Sequence, residues 1–253
     1  MPDLSVLAVF FLVYVRAAAF LNSGPLLVIR GVPAPVKAGL PFFLAAVAFP
    51  LVQERELPAG ALGYGLLLLS EAGAGLIMGL AVSAIISFLQ VAGQLVDFQI
   101  GFAMSSVVDP LYGAGSTLLA QYLYLLGLVT FFVVDGHHTL IAALVESYRL
   151  VPLGVASFGG GAASVLVKIF SASFLRALQV SAPVLAVLVV SDLTLGFLAR
   201  TAPQINVFLT GFPVKIAAGL LVMSFLLPLL GGLLRSLAGI IERDLYTLMK
   251  ALV

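Results

Sequence analysis

A chain of 253 residues that is 62% hydrophobic and 9% charged, with a mean hydropathy of +1.22, reads as a polytopic helical membrane protein. A formal net charge of +1 offers no clustered basic face for phosphates, which argues against nucleic acid as a partner. No cysteine means no disulfide and no thiolate metal site, and with no polar linker one integrated helical domain over residues 1–253 is expected.

In chain order, apolar segments fall at about 4–29, 36–52, 62–90, 117–134, 176–199 and 213–234, an all-α plan of about six spans. The opening Met-Pro-Asp-Leu-Ser lacks a basic leader, so the first segment is expected to be retained. It carries Arg16 near its middle, and a central arginine costs at least about 2.5–3.5 kcal/mol on insertion scales. An acidic partner is therefore expected, with Glu71 and Asp192 as candidates. The second segment is short of the roughly 20 residues that span a bilayer. Pro25, Pro33 and Pro35 follow the first segment, Pro50 and Pro58 the second, and Pro203 and Pro213 precede the sixth.

In the third segment Glu71, Gly75, Gly79, Ser83 and Ser87 recur every fourth residue and form one inclined row. The Gly75-xxx-Gly79 spacing lets another helix approach closely. The row runs on through Gln90, Gln94 and Asp97; for Glu71, Gln94 and Asp97 a wet cavity or a charge partner is expected.

A polar island then occupies Ala92 to Pro110. Non-helical backbone at membrane depth survives only where protein buries it or where it lines water, so the island points to a pore, a gate or a subunit contact. Gly101, Gly113 and Gly115 permit tight backbone, and Asp109-Pro110 is a turn signal. Between them Phe102, Met104, Val107 and Val108 are apolar, which suits a constriction that gates by dewetting; an ordinary inter-helix loop fits the residues equally.

Asp135-Gly-His-His138 holds the only two histidines. Neighbouring helical side chains diverge by about 100°, so two adjacent histidines rarely share one ion. No metal is expected there, and Asp135 is expected to cap the following helix. Gly159-Gly-Gly161 reads as a flexible joint. Asp192 and Arg200 share a helix face, and Pro203, Asn206, Gly211 and Pro213 read as turn chemistry. The basic residues favour cytoplasmic termini only weakly. No catalytic motif appears, so no enzyme activity and no cofactor are expected.

Together these residues resemble the FliR family, the R subunit of the flagellar type III protein export gate, which is related to the T subunit of virulence type III secretion. The blocks that carry the resemblance are Ala92-Gly-Gln-Leu-Val-Asp97 with Gly101-Phe-Ala-Met104 and Val108-Asp-Pro110, and Phe132-Val-Val-Asp-Gly-His-His138. Further along are Glu146-Ser-Tyr-Arg-Leu-Val-Pro-Leu-Gly154, Arg200-Thr-Ala-Pro-Gln-Ile-Asn-Val-Phe208 and Gly211-Phe-Pro-Val-Lys215. The resemblance implies a non-enzymatic subunit of the bacterial cytoplasmic (inner) membrane and flagellar basal body, in contact with membrane lipid. Its helical hairpins would wind into a cone shared with FliP-like and FliQ-like subunits, with FlhB-like and FlhA-like components at the base. It further implies that the loop over roughly Gly101–Gly115 plugs a channel for unfolded flagellar proteins.

Two other classes are weighed. A small-molecule or ion transporter would line its pathway with Arg16, Glu71, Asp97 and Asp192. A membrane metalloenzyme at Asp135, His137 and His138 lacks ligands.

Overall fold

The computed structural model describes residues 4–25, 27, 32–52, 60–102, 117–204 and 206–253, and every regular element among them is helical. The α-helices are α1 (Leu4–Ser23), α2 (Ala34–Ala48), α3 (Ala61–Ile100), α4 (Leu118–Val133), α5 (Gly136–Leu150), α6 (Gly160–Thr201), α7 (Val207–Arg235) and α8 (Leu237–Ala251). A single 3-10 turn, Phe49–Leu51, closes α2. Among the described residues five helices are long and apolar enough to cross a membrane, and a sixth span results if α4 and α5 are taken together.

Local chemistry sets several boundaries. Pro35 lies in the first turn of α2, where its missing N–H has no helical acceptor to satisfy. Asn206 caps α7, its side chain accepting from Leu209 N at 3.2 Å. Between α4 and α5 the chain turns at Asp135, whose φ of 57° is left-handed. Asp135 holds the expected N-cap position but makes no capping hydrogen bond. Pro213 proves to be inside α7, as Pro228 is; Pro41 and Pro183 sit inside α2 and α6. Proline is tolerated inside apolar helices where neighbouring groups take up the freed carbonyl.

Three differences from the sequence reading matter. Helix α3 continues past residue 90 to Ile100, so the first half of the polar island is regular helix. Helix α6 begins at Gly160 rather than near 176, which places Lys168 inside it and Arg176 well past its start. Isolated charges do not interrupt the backbone ladder that propagates a helix, although they end a hydropathy window. Helices α5 and α8 are amphipathic, burying Leu140, Leu144, Ile241, Leu245 and Leu248 while keeping charged faces, and so escape an apolar-run reading.

The chain forms two compact units, each discontinuous in sequence. The first comprises Met1–Ile85, Asp135–Ser171 and Leu237–Val253. Here α1 packs on α2 through edge-to-face rings, Phe10 against Phe42 at 5.3 Å and against Phe49 at 5.8 Å. Helix α5 packs on α8, and Ser157 N donates to Leu252 O at 2.7 Å. The second unit comprises Ile86–Val134 and Ala172–Ser236. In it the backbone of Gly93 meets that of Ala120, and Gly219 lies against Ile100 and Leu188.

Candidate functional site

Arg16 is the centre of the first unit. It is fully buried, as is Glu71, and its Nε donates to Glu71 Oε2 at 2.6 Å. Its Nη1 donates to the carbonyls of Ser147 at 3.0 Å and Val151 at 2.8 Å, at the C-terminal end of α5. These carbonyls lie at the negative end of the helix dipole, so a cation suits them, although the Ser147 carbonyl also accepts from Val151 N at 2.9 Å. The guanidinium carbon also lies 4.8 Å from the Tyr148 ring centroid, and Tyr148 donates its hydroxyl to Val13 O at 2.8 Å. The second oxygen of Glu71 accepts from Gly154 N at 2.7 Å, where Gly154 turns with a φ of +67°.

One ion pair thus ties α1, α3 and the end of α5 together. Of the two expected partners Glu71 is the one used, and Asp192 is not. A desolvated pair of this kind contributes little net stability over an apolar substitute, but removing one member strands the other. Charges that neutralise each other without any exposure are poorly placed to relay a solute.

The glycine row does the packing its spacing implied. A Cβ at Gly75 would collide with the Arg16 carbonyl and Ala19, and one at Gly79 would collide with Ser23 and the Phe20 carbonyl. Ser83 donates to Ser23 O at 2.7 Å. The row therefore faces α1 and brings Glu71 within reach of Arg16.

In the second unit Asp97 is fully buried and accepts from the backbone N–H groups of Leu119 at 3.3 Å and Ala120 at 2.9 Å. It caps α4 from a neighbouring helix, filling a role that Thr117 at the N-cap position leaves open. Gly101 follows the end of α3 with a φ of +104°, and a Cβ there would strike Phe212. Gln94, from the same row, is exposed. Met104, Val107, Val108, Asp109, Pro110, Gly113 and Gly115 lie outside the described residues.

Asp192 accepts from Lys215 Nζ at 2.8 Å and from Gln99 Nε2 at 2.7 Å; Arg200, expected on the same face, is exposed in the last turn of α6. Sequence reasoning does not single out Lys215, Gln99, Tyr148 or Gly154. For Lys215 the i,i+3 and i,i+4 rules give no signal, because its partner sits on another helix.

Asp135, His137 and His138 bring one ligand atom each within 4.8 Å of one another, and the two imidazoles lie 4.2 Å apart at 36°. The expected divergence of adjacent side chains does not hold here. The same carboxylate is 3.5 Å from His138 Nδ1, an i,i+3 pair on the surface. Three ligand atoms at this spacing can meet one metal ion, and the exposed carboxylate and imidazole equally form a surface pair without one.

Two buried polar networks binding long apolar helices, with large apolar side chains left exposed, define a helical membrane protein. The chain belongs to the bacterial export proteins, family 1, whose family model matches residues 7–239. It is similar to the flagellar biosynthetic protein FliR of Bacillus subtilis, with 39% identity over 85% of this chain and 84% of that protein. It is also similar to the FliR proteins of Escherichia coli (29% identity, 90% of this chain, 87% of that protein) and Borreliella burgdorferi (32%, 64% and 61%).

Proposed function

We propose that this chain is a membrane subunit of the flagellar protein export apparatus and takes part in flagellum assembly. The observation that carries the reading is the likeness to FliR along almost the whole chain, together with the five long apolar helices. In finer terms, it acts as one export-gate domain of the bacterial cytoplasmic membrane at the flagellar basal body. It assembles with FliP-like and FliQ-like subunits and meets FlhB-like and FlhA-like components. Together they form a channel for unfolded flagellar proteins.

The segment that follows Phe102 serves in this reading as a plug. Its support is compositional, from Phe102, Met104, Val107 and Val108 between Gly101 and Gly115. At its ends, Gly101 turns sharply and Asp97 holds the first turn of α4. In this reading the driving force comes from partners.

The test is purification of the tagged chain from its native membrane in mild detergent, with mass spectrometry of what accompanies it. Recovery with FliP-like and FliQ-like subunits in one large complex is the expected result. A chain that purifies alone, or as a small homo-oligomer that binds a solute, overturns it.

A further inference from the structure

The two histidines of the chain meet an aspartate at the start of α5, within the first unit. Asp135, His137 and His138 each bring one ligand atom to within 4.8 Å of the others. Around a tetrahedral ion with bonds of about 2.1 Å, ligand atoms stand about 3.4 Å apart, so about 1.4 Å of closure completes the set. Asp135 and His138 are exposed and His137 is half-buried, so rotation of the side chains supplies that closure. The surface pair of Asp135 with His138 engages two of the three groups, and the His137 ring, 4.2 Å from its neighbour, adds the third. Asp135 stands at the N-cap yet spends no carboxylate oxygen on the N–H groups of α5. His138 also lines a cavity of about 470 Å³ between α5 and α8. Glu146 and Glu242 line it too, and no lysine or arginine does. Glu146 shares its charge with Arg149 at 3.6 Å, while Glu242 forms no ion pair among the described residues. A cavity walled by carboxylates concentrates cations beside the imidazole.

The donor set selects the ion. Calcium and magnesium prefer shells made of oxygen, and thiolate-seeking ions find no cysteine in this chain. Two imidazoles with one carboxylate suit divalent ions of the later first row. We propose that Asp135, His137 and His138 form a binding site for one divalent ion of the zinc type, with water completing its shell. The ion ties the residue before α5 to the first turn of that helix, in place of the capping hydrogen bond that Asp135 does not make. A cation at a helix N-terminus runs against the helix dipole, but at an exposed site that is a small term beside three ligand bonds. The site stands whether or not the chain assembles with other membrane subunits.

The experiment uses the full chain with a tag that contains no histidine, purified in detergent with any partners that accompany it. After treatment with EDTA it is titrated with Co²⁺ and then with Zn²⁺. The parent is compared with Asp135→Asn and His138→Asn, both at exposed positions, and with Glu242→Gln, on the cavity wall but outside the ligand set. The parent is expected to take up one equivalent of Co²⁺ more than His138→Asn, with a Kd of about 1 μM or tighter. Its d–d absorption should vanish as Zn²⁺ displaces the cobalt, and zinc should slow amide exchange from Gly136 to Thr139. Loss of an outer-shell partner alone weakens a metal site about 10–100-fold, so each ligand variant should bind at least about tenfold more weakly. Glu242→Gln should stay within about threefold of the parent. Equal binding by the parent and His138→Asn overturns the proposal. So does an affinity that falls with His138→Asn but not with Asp135→Asn, which assigns the binding to an exposed imidazole and an adventitious ion only. An equal fall for all three variants also overturns it, by assigning the binding to diffuse charge.

Discussion

Arg16 on α1 and Arg176 on α6 carry the same guanidinium into apolar helices of the two units. Around Arg16 the chain supplies a carboxylate, two carbonyls and an aromatic ring, and the residue has no exposure. Around Arg176 it supplies no carboxylate among the described residues. The first arrangement leaves Arg16 Nη2 buried without an acceptor, yet its ion pair and two carbonyl bonds tie three helices of one unit together. At Arg176 the Nη1 is likewise enclosed without an acceptor. A carboxylate on a neighbouring helix, rather than burial alone, thus separates the two sites among the described residues.

The sharpest way to break this contrast is at the ion pair. Arg16→Ala or Glu71→Ala alone should cost about 3–5 kcal/mol, because each strands a buried charge. The pair Arg16→Met with Glu71→Leu should cost much less than the two single losses added together. Thermal unfolding in detergent, read by proteolysis, checks this; additive losses would mean the groups are not coupled. Arg176→Ala should leave the isolated chain within about 0.5 kcal/mol of the parent.

Gly75→Leu should cost about 1–3 kcal/mol by forcing α1 off α3 and stretching the Arg16–Glu71 contact, whereas Gly232→Ala, with open space around it, should not destabilise. Equal effects at the two glycines would deny the row its packing role. Asp97→Ala should cost about 1–3 kcal/mol and speed amide hydrogen exchange at Leu119 and Ala120; Asp97→Asn should do roughly half of that, since its amide oxygen still accepts. Tyr148→Phe, which leaves the ring over Arg16 and removes only the hydroxyl bond to Val13, should cost about 1 kcal/mol.

Much of the first unit is legible in the sequence because its signals are local. The four-residue spacing of Glu71, Gly75, Gly79 and Ser83 is a property of one helix, and it predicts a close neighbour without naming it. The need of Arg16 for an acid follows from solvation alone. The choice of Glu71 over Asp192 does not, because it depends on how distant segments pack. The Asp97 cap is illegible for a related reason: its partners are backbone N–H groups, which every residue carries. The expected segment starts at Arg176, sixteen residues after α6 begins, because a hydropathy window ends at a charge while a helix does not. Helices α5 and α8 stay hidden because half of each is polar.

The pairing of α5 with α8 has a consequence for synthesis. Leu140 and Leu144 find Ile241, Leu245 and Leu248 only after about 100 further residues have left the ribosome, about 5–20 s at bacterial-scale elongation rates. During that interval the face of α5 that α8 later covers has no α8 to pack on.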